Sequence, residues 1–370
     1  MSPRDPTTSR GRGRTAALWT ASIAASVVLL WLAQTRFGVQ LVPDDLVLVD
    51  VASAVLAIGL HPIYAVLRAM RLGFALDPIV AHASGGTQAR FDRAVLYGSG
   101  FVSFLVLLLL PFKLGEASRP ILLARGRRPG VGMAEAVAAV GLERVIDGLM
   151  ICAMLFGGLA LAQVGASAGG ALANVARFGQ GMGVLFLIAF ACALAAARAP
   201  GSWGRGVARV AAPLGPRGAA ALGGIVTRLA ETFAALLDAR RLAALVAVSL
   251  VYWAVTVLQL WAVARACGLP LSPAAAAATV AIIGLSIQLP GGPAQTGTFQ
   301  VGAAAALSLF FELEQIGGPA HGFVASMFAL PLLGAAVMAV PGAVLLARAR
   351  AAAPGNADAG APGPDPGAPA

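Results

Sequence analysis

Six stretches of the sequence, 16–34, 46–67, 131–163, 179–197, 242–266 and 319–347, are apolar over lengths that suit a bilayer crossing. About 20 apolar residues of helix span the hydrocarbon core, so the repetition confines the chain to one fold class, an all-α polytopic membrane protein. Composition agrees: 59% of residues are hydrophobic, 11% are charged and the mean hydropathy is +0.84, whereas a soluble domain carries roughly 25% charged residues. The net charge of +10 is no sign of a nucleic-acid partner, because the cations fall between apolar runs, where membrane topology accounts for them. Lys113 is the sole lysine among 26 basic residues, and Ala and Gly dominate. That composition reads as a GC-rich bacterial gene, which places the protein in the bacterial cytoplasmic (inner) membrane.

Two further apolar pieces, 94–124 and 273–312, are interrupted by LPFKLG at 110–115 and LPGGPAQTG at 289–297. Broken helices at membrane depth are tolerated only where protein or a cavity surrounds them. If both are re-entrant hairpins and the other six runs cross fully, then residues 1–15, 68–93, 113–128, 198–241 and the C-terminus fall on one side. Those segments hold 22 of the 26 basic residues; Arg36, Arg177 and Arg265 fall opposite, and Arg144 lies within a span. The positive-inside rule makes that side cytoplasmic, with both termini there. The hairpins then enter from opposite sides, as an inverted repeat would produce, with a substrate site where their tips meet.

The remaining organisation is simpler. Residues 1–15 form a basic cytoplasmic N-terminus ahead of an uncleaved first span, 16–350 a membrane domain, and 351–370 a Pro/Gly/Ala tail expected to be disordered. From about Ala219 the segment 198–241 has helical apolar spacing with Arg228, Glu231 and Asp238 opposite, which predicts a helix on the cytoplasmic surface. Cys152, Cys192 and Cys267 lack disulfide or zinc spacing and read as small core residues. Trp19, Trp31, Trp253 and Trp261 read as interface anchors, and His61 beside Pro62 as a polar group at a kink.

Two charged clusters stand out. Glu116 and Arg119 are spaced i, i+3 and can pair on one helix face; Glu143 and Asp147 are spaced i, i+4, with Arg144 about 100° round from Glu143. Two carboxylates on one face need a cation opposite, and Arg119 or Lys113 is the natural partner. If the cluster lies at the cytoplasmic headgroup level it is merely solvated; at the midplane, each such charge costs about 2.5–3.5 kcal/mol and needs a reason. No motif for a nucleophile, a phosphate loop, a metal or a cofactor accompanies them.

The stretch PFKLGEASR at 111–119, ERVID at 143–147 and PGGPAQTGTFQ at 290–300 together resemble the lysylphosphatidylglycerol synthase/flippase transmembrane-region family. The resemblance implies substrate-binding roles for Lys113, Gly115, Glu116, Arg119, Glu143, Arg144 and Asp147. It also implies a hairpin motif at Pro290, Pro293, Gly297, Phe299 and Gln300. Ala294 stands where the family usually has glycine, and Gln300 where it usually has glutamate. What the resemblance implies is the flippase half without the synthase half: a membrane domain that moves an anionic, glycosylated or isoprenoid lipid between leaflets, with no cofactor and no covalent chemistry. In that picture Arg119, Lys113 and Arg144 hold phosphate oxygens while Glu116, Glu143 and Asp147 neutralise them in the empty site. The implied partners are a membrane lipid and an envelope-lipid biosynthesis enzyme. Two alternatives stay open, a membrane enzyme using Glu143 or Asp147 as general base, and a non-transporting scaffold.

Overall fold

The computed structural model describes residues 6–38, 48–85, 89–126, 130–164, 168–236, 239–289, 291–313 and 316–352. Pro290, Asp238 and the tail from 353 onward lie outside them. Every regular element among the described residues is helical. Six helices carry a segment long and apolar enough to cross a membrane: Trp19–Phe37, Val51–Ala81, Met133–Leu161, Gly169–Arg198, Arg240–Ala266 and Gly317–Ala351. They belong to α1 (Pro6–Phe37), α2 (Val51–Ala83), α5 (Met133–Leu161), α6 (Gly169–Arg198), α9 (Ala239–Ala266) and α12 (Gly317–Ala351). The protein is thus a multi-pass helical membrane protein, as the apolar runs predict.

One boundary differs in a way that matters. The second span runs well past residue 67, so Arg68 and Arg71 are inside α2 and buried, not in a loop. A hydropathy reading stops at the first arginine, whereas the fold continues the helix because partners elsewhere in the bundle neutralise the charge. With Arg119 also buried, three of the 22 cations leave the topological count.

The two interrupted pieces each form helix, break and helix. In the first, α3 (Arg93–Leu109) leads into a 3-10 turn over Pro111–Ala117 and then α4 (Ser118–Ala124); in the second, α10 (Pro273–Ser286) leads through the turn Pro293–Gln295 to α11 (Thr298–Leu307). Asp92 caps α3 by accepting from the backbone N–H of Ala94 at 2.7 Å, and Ser272 caps α10 by accepting from Ala275 at 3.2 Å, with Pro273 at the first helical position. The breaks share a local geometry. Pro111 is followed by left-handed Phe112 (φ 49°) and Lys113 (φ 58°), and Pro293 by left-handed Ala294 (φ 57°) and Gln295 (φ 60°); each proline precedes a glycine, Gly115 or Gly297, by four residues. Four non-glycine residues in that region store about 1–3 kcal/mol each.

The helices pair reciprocally. α2 lies along α9, α3 along α12 and α10 along α5, so each broken piece rests on the span that follows the other. Small residues permit this. A Cβ at Gly98 of α3 would stand 2.9 Å from the carbonyl oxygen of Gly342 in α12, and one at Gly158 of α5 would stand 2.7 Å from the backbone nitrogen of Ala278 in α10. Each half has its own core: Leu72, Leu76, Leu96 and Leu142 in the first, and Leu260, Leu269, Leu307 and Phe323 in the second.

Apart from these pairs, α7 (Pro200–Val210) and α8 (Gly215–Leu236) pack closely together. The helix expected from Ala219 therefore begins earlier and has a partner, and α8 also packs on α5 and α6 rather than lying free on a surface. Cys152 and Cys267 are buried, but Cys192 is exposed on α6 and is no core residue.

Candidate functional site

Arg71 organises the centre of the molecule. From α2 its Nη2 donates to Glu143 Oε1 at 2.7 Å and to Asp147 Oδ2 at 3.1 Å, while its Nη1 donates to Asp147 Oδ1 and, at 3.3 Å, to Ser249 Oγ of α9. Its guanidinium carbon lies 4.0 Å from the centre of the Tyr252 ring. Glu143 is shared: its Oε2 accepts from Arg119 Nη1 at 2.8 Å, and Arg119 Nη2 donates to the Arg68 carbonyl at 3.0 Å. Asp147 Oδ1 also accepts from Trp253 Nε1 at 3.1 Å. Exposure of Arg71, Arg119, Glu143 and Asp147 is 1%, 3%, 4% and 7%. Charges so deep persist only when paired and hydrogen-bonded. The i, i+4 spacing on α5 does place both carboxylates on one face, and the arginine of the first break does oppose Glu143. The bridge between them, Arg71, comes from the part of α2 beyond residue 67, where hydropathy alone predicts a loop.

In front of this network lies a cavity of about 250 Å³. It is bounded by both breaks, which touch: the Phe112 N–H donates to the Gly291 carbonyl at 3.3 Å, and Lys113 Nζ donates to Gln288 Oε1 at 2.6 Å. Arg68, Lys113, Glu116, Arg144 and Asp147 reach the cavity, with Gln288 and Gln295 on the second-break side. Lys113 lies 3.8 Å from Glu116. That pairing corrects the expected one, since Arg119 turns inward to Glu143 and Glu116 outward to Lys113. Arg68 donates to the Gly100 carbonyl at 3.0 Å and stacks 4.7 Å from the Phe104 ring centre, without a carboxylate among the described residues. Arg144 makes no hydrogen bond or ion pair among the described residues. Among the described residues of the cavity and the network behind it, Arg68, Arg71, Lys113, Arg119 and Arg144 stand against Glu116, Glu143 and Asp147, an excess of two positive charges.

The family-implied residues therefore separate into two groups. Lys113, Glu116, Arg144 and Asp147 line the cavity, whereas Arg119 and Glu143 stand behind it. Gly115 is a packing position, because a Cβ there would strike Leu107 Cα and the Val106 carbonyl. In the second break Pro293 starts the turn, Phe299 reaches the cavity, and Pro290 is outside the described residues. Gly297 has φ 92° and its N–H donates to Gln300 Oε1 at 2.7 Å, so the carboxamide keeps the cap a glutamate would make and removes only its charge. Arg68, Tyr252, Trp253 and Gln288 also reach the cavity and were not singled out as site residues. Trp253, read as an interface anchor, is instead tied to Asp147. His61 is 4% exposed, packs against Tyr64 and lies outside the cavity lining.

A multi-pass bundle whose two broken helices meet at a charged internal cavity is the class of protein the geometry defines. Within it, the chain belongs to the family described as the lysylphosphatidylglycerol synthase TM region, whose model matches residues 19–335. The lipid-related setting of that family is the chain's own. No curated protein and no solved structure matches the chain.

Proposed function

We propose that the protein carries an anionic lipid headgroup between the leaflets of a bacterial cytoplasmic membrane without altering it chemically. The observation that carries the reading is the uncompensated positive charge of a cavity held between two broken helices. A headgroup stripped of water in hydrocarbon loses several kcal/mol of hydration. Arginines already in place supply substitute hydrogen bonds, charge-assisted and worth about 1.5–3 kcal/mol each. The pseudo-two-fold arrangement supplies the motion: the breaks enter as re-entrant hairpins from opposite sides, and rocking one half against the other exposes the cavity alternately. The chemistry needs no nucleophile, metal or cofactor, and a lipid-synthesis enzyme supplies or consumes the cargo.

Orientation follows from the basic residues. Without Arg68, Arg71 and Arg119, 19 of the 22 remain on the proposed cytoplasmic side against Arg36, Arg177 and Arg265 opposite. In a protein whose three native cysteines are replaced, cysteines at Ser84 and Arg125 are expected to resist an impermeant thiol reagent in intact cells, and one at Gly317 to label. Labelling at 125 from outside would overturn the re-entrant assignment of the first break.

Transport itself is tested in liposomes holding a trace of fluorescent phosphatidylglycerol, with external reductant reporting its arrival in the outer leaflet. The wild-type protein is expected to speed equilibration over empty liposomes, and Arg144→Gln to slow it about tenfold, the cost of one lost charge-assisted contact. Equal rates with and without protein would sink the reading.

A further inference from the structure

Beside the charged cavity runs a second, apolar one of about 550 Å³, between α5, α9 and α10. Trp253 borders both. Its indole N–H is fixed on Asp147 at 3.1 Å, while its ring begins a groove that continues past Val257 to Trp261 and Pro273. Along α9 that path is about 12 Å at 1.5 Å per residue. The other helices divide their faces in the same manner. On α5, Asp147 and Ile151 turn to the charged cavity and Met150 and Met154 to the groove; on α10, Gly284 turns to the cavity and Ala277 to the groove. Methionines here suit an irregular, flexible occupant.

We propose that one lipid occupies both spaces at once, its phosphate headgroup, carrying two negative charges and no amine, on Arg68, Arg144 and Lys113, and one of its hydrocarbon chains in the groove beyond Trp253. This rests on the lipid-transport reading for the statement that the ligand is a lipid, and adds its charge class and the position of its tail. The charge argument is the excess of two cations in the cavity and the network behind it: a phosphomonoester neutralises it, whereas a zwitterionic head or an aminoacylated one brings its own cation and leaves the excess standing. Continuity argues for the tail. A chain attached to a head beside Asp147 must leave the cavity through apolar surroundings, and the groove starts at the residue that closes the cavity wall.

The test uses full-length protein in detergent with Trp19, Trp31, Trp203 and Trp261 changed to Phe, so that Trp253 alone reports. Lipids with brominated chains quench a tryptophan they touch. Brominated phosphatidic acid is expected to quench saturably, with at least a tenfold lower half-saturating concentration than brominated phosphatidylcholine, and Arg144→Gln is expected to erase that preference. Ala153→Phe or Ala254→Phe, at exposed groove positions, is expected to cut quenching at saturation while unbrominated phosphatidic acid still competes. In the otherwise native protein, a photoreactive group on the chain of phosphatidic acid is expected to label α5 or α9 beside the groove, which keeps the test open if the four-tryptophan variant does not fold. Equal quenching by both lipids would overturn the charge class. Displacement by glycerol 3-phosphate as effective as by phosphatidic acid, with no labelling in the groove, would overturn the tail and leave a plain phosphate-ester site. Transport by the same proteins reconstituted into liposomes separates the two readings: binding as described without flipping supports this assignment and sinks transport, and flipping without head preference or groove contact does the reverse.

Discussion

Arg71→Leu is expected to destabilise the folded protein by about 3–5 kcal/mol, the cost of leaving buried charges without their partner. Glu143 keeps Arg119 at 2.8 Å, but among the described residues Asp147 keeps only the Trp253 N–H at 3.1 Å and becomes a buried carboxylate without an ion pair. Arg71→Lys is expected to recover part of the loss, since an ammonium retains the charge but cannot bridge both carboxylates with a planar fork. The informative variant is Arg71→Leu with Asp147→Asn. Removing the orphaned charge along with its partner is expected to restore a substantial part of the stability, a non-additivity that only direct coupling produces. The measurement is thermal unfolding in detergent, followed by tryptophan fluorescence or by retention of a monodisperse peak. An Arg71→Leu protein as stable as wild type would remove the network from the account of the fold. The same logic alters what the carboxylates mean: Glu143→Gln with Asp147→Asn strands Arg71 and Arg119 and strikes folding before it reaches lipid affinity, whereas Arg144→Gln, which breaks no hydrogen bond or ion pair among the described residues, reads binding more cleanly.

What the sequence discloses of this site depends on how local each signal is. Span length and hydropathy are local, so all six crossing segments are legible, and so are the two breaks, whose proline and glycine positions announce themselves. The i, i+4 pair Glu143 and Asp147 is local too. Arg71 is not, because its partners lie 72 and 76 residues away, and nothing within HPIYAVLRAMRLGFALDPIV shows that a charge there is neutralised. One signal was available: apolar residues resume after Arg71 and continue to Val80, and Arg68 and Arg71 share a face at i, i+3, which fits a helix that continues better than a loop. The exchange of Glu116's expected partner has the same origin. Spacing allows Glu116 to reach Arg119, but the left-handed backbone at Phe112 and Lys113 swings Lys113 toward Glu116 and leaves Arg119 facing α5. The equal spacing of Pro111 to Gly115 and Pro293 to Gly297 is visible in the sequence, whereas the left-handed backbone that both breaks share is not.

The glycines of the two breaks are expected to respond differently to the same change, because what each touches differs in kind. Gly115→Ala places a Cβ against Leu107 Cα and the Val106 carbonyl, main-chain atoms of α3 that cannot be trimmed. Overpacking of this sort costs about 1–3 kcal/mol and forces the first break away from α3, moving Lys113 from Gln288; transport is expected to fall more than tenfold, and no side-chain substitution nearby to restore it. At Gly297 the added Cβ meets Leu29 Cβ of α1 at 2.6 Å, with Leu29 Cδ1 at 3.2 Å and the Ser26 carbonyl at 3.2 Å. Gly297→Ala therefore pays twice, in a positive-φ backbone (φ 92°, ψ −59°) that costs an alanine about 1–3 kcal/mol and in a clash with a side chain on a neighbouring helix. Only the second part is removable. Because the nearest atom is Leu29 Cβ itself, Leu29→Gly in the Gly297→Ala background is expected to recover some stability and transport, to a level still below wild type because the backbone strain and the Ser26 carbonyl contact remain, and a glycine within α1 costs about 1 kcal/mol. Unfolding midpoints and liposome rates measured on the single and double variants decide it. Full rescue by Leu29→Gly would show that strain at residue 297 is negligible, and no rescue at all would show that α1 does not rest on the second break in the functioning protein.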